Sequence, residues 1–512
     1  MNRRTLILVV ILGAMLYAGL NVYLFKNPVR FGTKPPSYME LPYDRFGYPE
    51  EEVSRLDTRT LFLNREFGKL NDLLTSIQGD FERDYHNEYR MYDALLSLNC
   101  PVPEYEVLFA DWVKAFPETF PPYLCRACYY WAMGLESRGS AWSKDTSREQ
   151  FEGMRRYFYL ALEDLEKALG FNPNLVPAFC VRISIHNHFG EDGETLEDLD
   201  QALAIAPECY LPRFYFINNL EPRWGGSWSR MNTFAKGSQK YAEKNPALGP
   251  LMGFSWADRA WYESRGKRYG KALKYFNKGL RFGNDYFLLK GRANCYYAIG
   301  EYEKAEKDIN HALALRKQVP GGWQLRSKIH YAMGRFDEAF EEIRYATELA
   351  PGNGNVRSTW DWQAKTHKEK SFANFHVNTG YAIQRCKWWL KMDPENPDAS
   401  QELVFALKKA GRTEEAKAEI RKAITLDPRD SEFYRIMGAI LFAENRLDDI
   451  IFYWNKYIQL EPDRAEAYLE RGGAYYRQGD MASAMRDLKK SCELGSERGC
   501  ETLKKMEGGR EN

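Results

Sequence analysis

The chain has 512 residues, more than one compact hydrophobic core usually supports, so we expect several domains or an extended repeat array. Its 72 basic and 71 acidic residues give a formal net charge of +1. Binding to nucleic acid requires a clustered positive surface, so this balance favours no nucleic-acid partner.

The first 30 residues differ in composition from the rest of the chain. Arg3 and Arg4 precede an uncharged run of 20 residues at positions 6–25, LILVVILGAMLYAGLNVYLF. At about 1.5 Å per residue, such a helix spans a hydrocarbon core of roughly 30 Å. A cleaved signal peptide is the alternative, but the best cleavage position, after Ala18, has Leu16 where a small residue is expected. We therefore predict a membrane anchor in residues 1–30.

The charges that flank this run decide its orientation only weakly, because Lys26 and Arg30 follow it as Arg3 and Arg4 precede it. An N-terminal anchor without a second span usually leaves its N-terminus inside the cell. The expected location is thus the inner (cytoplasmic) membrane, single-pass, with the bulk of the chain periplasmic or otherwise extracytoplasmic.

Residues 31–57 are marked by four prolines, which are Pro35, Pro36, Pro42 and Pro49. Proline removes a backbone donor and stiffens a chain segment. We predict that these residues form a linker or stalk between the anchor and the rest of the chain.

A repeat of 34 residues runs through the second half of the chain. Pro394, Pro428 and Pro462 are spaced by 34, and so are Pro173 and Pro207 upstream. Aligning on these prolines gives units with small residues where two antiparallel helices would cross, large residues that would fill the gaps, and proline after the second helix. The clearest units begin at Tyr286, Pro320, Pro397, Ser431 and Ala465.

This pattern resembles the tetratricopeptide repeat. The resemblance implies an all-α solenoid of stacked antiparallel helix pairs, because one unit cannot bury its apolar face alone. We place the solenoid at residues 261–512. The polar stretch near residues 352–378 breaks the period, and we interpret it as an insertion or a degenerate helix.

Residues 58–260 form a second predicted region, helical and with degenerate repeats. Its stretch at positions 220–235, LEPRWGGSWSRMNTFA, resembles the signature of the bacterial domain of unknown function 4034, which carries no settled activity. The signature residues are Arg223, Trp224, Gly225 and Gly226. Either the glycine pair only turns the chain between helices, or it lets a ligand approach the backbone, with Arg223 binding an anion.

No catalytic, cofactor or metal set emerges from the sequence, so we expect a protein that is not an enzyme. Phosphate-binding glycine motifs are absent. Cys125 and Cys128 form C-x-x-C, but Tyr129 follows where haem attachment needs histidine. His186 and His188 would point to different faces of one helix, which is unsuited to one metal ion.

The segment SCELGSERGC near the end of the chain holds Cys492 and Cys500. It resembles the final segment of Sel1-like repeat proteins, in which two cysteines bridge neighbouring helices. The resemblance implies a disulfide and an oxidising compartment. Two free thiols in a capping helix are the alternative.

In tetratricopeptide arrays the first helix of each unit lines a concave groove. The matching positions here are aromatic with a mild basic bias, which suits a peptide with acidic residues. The alternative is that the aromatic residues at these positions only complete the packing between repeats. A clamp for chaperone tails is incomplete, because Leu325 stands where asparagine is needed. The predicted groove residues are Lys290, Asn294, Tyr297, Gln324, Lys328, Tyr331, Arg435, Phe442, Tyr476 and Arg477.

From the sequence we therefore expect a membrane-anchored scaffold that mediates protein–protein interaction in the bacterial cell envelope. Its partner is a protein or peptide, and it needs no cofactor. The alternative hypothesis is a ligand-binding or enzymatic module in residues 58–260, with Arg223 and Trp224 near its site.

Overall fold

The computed structural model describes residues 54–141, 143–374 and 379–508. Every regular element in this described part is helical. The chain divides into two compact units, residues 1–357 and 358–512, here called unit 1 and unit 2. The all-helical, repeat-built fold predicted from the sequence is confirmed.

Unit 1 is built from helix pairs preceded by shorter helices. Its α-helices are α1 Arg55–Leu63, α2 Phe67–Arg83, α3 Glu88–Leu96, α4 Tyr105–Ala115, α5 Phe120–Arg138, α6 Arg148–Phe171, α7 Val176–Phe189, α8 Asp192–Ile205, α9 Leu211–Asn219, α10 Trp228–Ser238, α11 Phe254–Arg265, α12 Tyr269–Gly279, α13 Tyr286–Ala298, α14 Tyr302–Leu315, α15 Pro320–Ala332 and α16 Phe336–Leu349. Short 3-10 turns connect them at Tyr85–Asn87, Ser143–Asp145, Pro222–Trp224, Gln239–Tyr241, Pro246–Gly253 and Leu280–Phe282.

Helix α17, Gly354–Asn374, begins in unit 1 and continues into unit 2. Unit 2 then consists of further helix pairs and a last single helix. These are α18 Thr379–Met392, α19 Pro397–Lys409, α20 Thr413–Leu426, α21 Ser431–Ala443, α22 Leu447–Leu460, α23 Ala465–Gln478, α24 Met481–Glu493 and α25 Glu497–Gly508.

The five clearest units begin where the 34-residue register predicts. Helices α13, α15, α19, α21 and α23 start at the first residue of their units. Local chemistry fixes two of these starts. The Asp285 carboxylate accepts from the backbone N–H groups of Phe287 and Leu288, and Asn396 accepts from Ala399. Such caps satisfy backbone donors that the first helical turn leaves unpaired.

A left-handed residue ends the first helix of each of these pairs. Glycine holds that place at φ between +72° and +89° in five pairs, as Gly190, Gly300, Gly334, Gly411 and Gly479. Two other pairs place Lys267 at +56° and Asn445 at +58° there. This left-handed conformation is strained for a residue with a Cβ atom, which explains why glycine occupies the position in most of these pairs.

An ion pair between the two helices recurs within the repeats. An arginine at the seventh place of the first helix meets an acid sixteen residues later on the second helix. The pairs are Arg182–Asp198, Arg292–Asp308, Arg326–Glu342 and Arg471–Asp487, with N–O distances of 2.6 to 3.0 Å. Polar groups thus fix the pairing of helices that otherwise meet through apolar side chains.

Close helix crossings explain the small residues of the repeat. A Cβ on Gly438 would lie 2.8 Å from the Trp454 indole nitrogen, and one on Gly291 would lie 2.4 Å from the Phe276 ring. Trp454 and Phe276 are themselves buried. Large side chains on an adjacent helix, in the same pair or in the preceding one, therefore occupy the space that glycine leaves.

The N-terminal helices of unit 1 pack against its last repeat. Buried Arg59 on α1 donates to the carbonyl oxygens of Ser97 at 2.8 Å and Leu349 at 2.9 Å, and to that of Glu348. Arg55, one turn earlier, pairs with Asp93 at 2.6 Å. Helix α1 thus connects α3 with the C-terminal end of α16, nearly 300 residues away in sequence.

The predicted anchor, and the linker up to residue 53, lie outside the described residues. Among the helices that the structure does describe, none is both long and apolar enough to cross a bilayer. The proposed boundary at residue 260 falls within α11, whereas the two compact units meet at Arg357 and Ser358. That junction lies in the predicted break near 352–378, where α17 begins at Gly354.

Candidate binding surfaces

Three predicted groove residues of unit 1 form a polar row on the first helices of two successive repeats. Lys290 and Asn294 lie one turn apart on α13, and Lys328 lies on α15; all three are half-buried. Burial lowers the pKa of Lys290, and the neighbouring Lys328 ammonium lowers it further. Burial also lowers the pKa of Lys328. In the described part of the chain, neither ammonium forms an ion pair or a hydrogen bond.

The other predicted groove residues of unit 1 are engaged within the repeat. The Gln324 amide donates to the carbonyl oxygen of Asn355 at 2.7 Å. The Tyr297 ring lies 6.0 Å from that of Tyr302, and the Tyr331 ring lies 5.1 Å from that of Phe336. These two tyrosines therefore pack against the second helix of their own pair, as the alternative reading of the sequence allows.

In unit 2, one predicted groove residue is neutralised by an ion pair, and another lies against an aromatic ring. Arg435 forms a two-point contact with Glu432 and is thereby neutralised. The Arg477 guanidinium lies 4.1 Å from the centre of the Phe442 ring. Tyr476 is 50% exposed. An aromatic and cationic surface is thus present between α21 and α23, without a desolvated lysine pair.

The stretch near residue 225, which in sequence resembles a family signature, forms a tight corner between α9 and α10. Pro222 begins a single 3-10 turn, and Gly225 follows it with φ at +85°. A Cβ on Gly226 would lie 2.1 Å from the carbonyl oxygen of Leu220. Ser227 then caps α10 by accepting from the backbone N–H of Arg230 at 3.2 Å. The glycine pair is required by the turn itself.

The same corner carries charged and aromatic side chains at its surface. Exposed Arg223 pairs with the buried carboxylate of Glu221. Burial raises the pKa of Glu221 to about 7, although Arg223 opposes this shift. The Trp224 ring lies 5.2 Å from that of His188 and is 36% exposed. The corner thus turns the chain and also presents polar groups.

Next to this corner lies a cluster that sequence reasoning missed. The Arg259 guanidinium lies 4.4 Å from the Trp228 ring and 4.6 Å from the Trp256 ring. Trp228 belongs to the signature, but Trp256 and Arg259 lie about one repeat later on α11. No spacing rule joins these three residues, so only the fold could reveal them.

The histidines and cysteines singled out in the sequence are structural. The His186 ring bonds to Asp198 at 2.8 Å, whereas that of His188 bonds to the Ser184 carbonyl oxygen at 2.7 Å. Cys125 and Cys128 are buried on α5, and burial raises the pKa of Cys128 to about 12. Within the described ranges, no group of three or more potential ligands could hold a metal ion.

Cys492 and Cys500 are joined by a disulfide in the structure, with their Cα atoms 4.6 Å apart. The bond connects the end of α24 to the single helix α25. This covalent link therefore fixes α25 to the end of α24.

Comparison with known proteins supports the repeat. Two family models described as tetratricopeptide repeat match residues 381–440 and 453–496. Hsp70-Hsp90 organizing protein 1 of Glycine max is 24% identical over 229 residues, 44% of this chain and 33% of that protein. The Hsp70-Hsp90 organizing protein of Triticum aestivum is 25% identical over 229 residues, 44% of this chain and 32% of its own length. The chain thus spans about a third of the length of these relatives.

Among solved structures, the chain is similar to the C-terminal part of a TPR repeat-containing protein from Cytophaga hutchinsonii. The identity is 19%, the match covers 48% of this chain and 98% of the other, and the TM-score is 0.26. The TPR2AB domain of yeast Sti1, in complex with an HSP90 peptide, is 17% identical. That match covers 50% of this chain and 96% of the other, with a TM-score of 0.29.

Proposed function

We propose that this tetratricopeptide-repeat protein is a membrane-tethered scaffold that binds an acidic segment of a partner protein along α13 and α15. The observation that carries the proposal is the pair of half-buried, unpartnered lysines, Lys290 and Lys328. A repeat array exposes an extended surface suited to a peptide.

The energetics of this lysine pair favour an anionic ligand. Partial burial costs each ammonium its hydration, and each raises the cost of charging the other. A carboxylate from a partner would offset both costs and form charge-assisted hydrogen bonds. Asn294, one turn from Lys290, adds an amide that can donate to the same ligand or to its backbone.

The names of the relatives agree with a scaffold. The plant proteins are named as organizing proteins, which describes assembly rather than a chemical step. We therefore propose a non-enzymatic protein, with a ligand-binding role for residues 58–260 as the second candidate, since polar groups gather at the Arg223 corner.

The tether is proposed from the apolar run at residues 6–25, which lies outside the described residues. We place the repeats on the extracytoplasmic face of the inner membrane of a bacterium. The Cys492–Cys500 disulfide agrees with an oxidising compartment.

The topology can be tested with single engineered cysteines near the C-terminus, in a chain that lacks the native ones. A membrane-impermeant thiol reagent should label them in cells whose outer membrane alone is permeabilised. Labelling that requires lysis of the inner membrane would contradict the proposed orientation.

The groove can be tested by photo-crosslinking in intact membranes. A photo-reactive residue at Tyr297, beside the lysine row, should capture a protein partner. The same residue at exposed Lys307 on α14, the second helix of that pair, is the matched control. Equal capture from both positions, or capture from neither, would contradict a partner bound along α13.

A further inference from the structure

The cluster beside the signature corner has a geometry that its packing role does not require. The Arg259 guanidinium carbon lies 4.4 Å from the centre of the Trp228 ring and 4.6 Å from that of the Trp256 ring. The Trp228 indole N–H donates to Asp258 at 2.7 Å, which fixes the orientation of that ring. The guanidinium thus contacts two aromatic rings.

Contacts with aromatic rings leave the N–H groups of a guanidinium, which all lie at its edge, without hydrogen-bond acceptors. The Arg259 Nε is buried and has no hydrogen-bond partner among the described residues. No described carboxylate forms an ion pair with Arg259. Because the residue as a whole is only half-buried, part of this edge remains accessible from solvent.

The charges of this region favour an anion beside Arg259. The Lys278 ammonium lies 4.7 Å from the centre of the Trp256 ring, which Arg259 also contacts. Asp258 accepts from Trp228, and Glu221 pairs with Arg223. Each of these carboxylates already has a partner, whereas Arg259 has none. The interaction that this cluster lacks is therefore a hydrogen bond from the Arg259 guanidinium to an oxyanion.

We propose that Trp228, Arg259 and Trp256 form a binding site for an oxyanion, a carboxylate or a phosphate group, held by the N–H edge of Arg259. Contacts with the two rings restrict the guanidinium before the ligand arrives, so less side-chain entropy is lost on binding. This site is separate from the Lys290 and Lys328 row and does not depend on the scaffold proposal.

The proposed site gives a reason for the sharp turn that precedes Trp228. The left-handed Gly225 and the crowded Gly226 turn the chain sharply, and Ser227 then starts α10. Trp228 is the first residue of that helix and is directed toward α11. The corner thus positions one of the two rings that flank Arg259.

Isothermal titration calorimetry of the full chain with inorganic phosphate, and separately with succinate, tests this site. Binding of either probe is expected in the wild-type chain, and the stronger of the two identifies the chemical source of the natural group. Arg259→Met should weaken that binding by at least roughly ten-fold, since it removes the planar donor set that holds the ligand.

Arg259→Lys keeps the charge but loses the planar fork, and it keeps the test decisive if Arg259→Met fails to fold. We expect it to bind several-fold more weakly than wild type. Arg429→Met, at an exposed arginine of unit 2, is the matched control and should bind as wild type does. Binding of neither probe at millimolar concentration, or equal binding by wild type and Arg259→Lys, would show that the cluster is only a structural brace.

Discussion

The Arg292 guanidinium on α13 forms a two-point ion pair with Asp308 on α14, with N–O distances of 2.6 and 2.7 Å. The same pair, seven residues into the first helix and sixteen residues onward, recurs in three other repeats. Apolar packing alone would tolerate rotation of one helix against the other. The recurring pair therefore defines the register of the two helices within a unit.

Removal of one member of this ion pair should lower the free energy of unfolding. Arg292→Met leaves Asp308, 8% exposed in its side chain, without its partner and should reduce the free energy of unfolding by about 2–3 kcal/mol. The double variant Arg292→Met, Asp308→Leu should recover much of this loss, because no charge then remains buried. Urea denaturation provides the measurement. A double variant less stable than the single one would contradict this reading.

Arg59 is expected to hold the N-terminal helices of unit 1 against its last repeat. Arg59→Met removes donors to the carbonyl oxygens of Ser97, Glu348 and Leu349, which should cost about 3 kcal/mol. Hydrogen exchange should then accelerate in α1 and at the end of α16. Arg65→Met, at an exposed pair with Asp111, is the control. Equal exchange in both variants would argue against this role.

Lys267 occupies the left-handed place that glycine holds in five other pairs. Its φ of +56° strains a side chain, and the residue is exposed. Lys267→Gly should therefore raise the free energy of unfolding by about 1 kcal/mol. Gly300→Ala, at φ +82°, should lower it. Thermal unfolding distinguishes these outcomes, and a destabilised Lys267→Gly chain would show that Lys267 makes a compensating contact.

Glu221 should make stability depend on pH around neutrality. Burial raises its pKa from 4.5 to about 7, so the folded chain holds this proton more tightly than the unfolded chain does. The resulting stability is complete below pH 4.5 and is lost as pH rises through 7. Glu221→Gln should thus gain stability relative to wild type between pH 5 and pH 8, by at most roughly 3 kcal/mol.

The control for this prediction is Glu66→Gln, because Lys69 lowers the pKa of Glu66. The Glu66 carboxylate adds to the free energy of unfolding above its unfolded-state pKa. Its replacement should therefore bring no gain in stability as pH rises. Denaturant midpoints of both variants across the pH range provide the comparison. Parallel curves for Glu221→Gln and wild type would contradict the assigned pKa.

The sequence predicts the repeats well because their signals are local. Pro320 and Ser431 start helices where the 34-residue register places them, and Gly300 ends one. Contacts that join distant segments leave no such signal. Arg59 meets Leu349 across 290 residues, and nothing in the spacing of either residue indicates it.

Prediction of the candidate sites from the sequence is limited in the same way. Lys290 and Lys328 follow from repeat positions, but their lack of acidic partners depends on every neighbouring helix. Gln324 was expected to face a ligand, whereas its amide donates to Asn355 at the start of α17. The Arg259 cluster combines the start of α10 with residues of α11, so only the folded chain brings its residues together.

The most direct test of the scaffold proposal is fluorescence anisotropy with labelled acidic peptides and the full chain. Wild type should bind them in a salt-dependent manner, and a variant with Lys290→Gln and Lys328→Gln should lose most of that affinity. A variant with Lys304→Gln and Lys307→Gln, both exposed on α14, carries the same change in charge and should bind as wild type does. Equal affinity in all three chains, or no binding to wild type, would contradict the central claim.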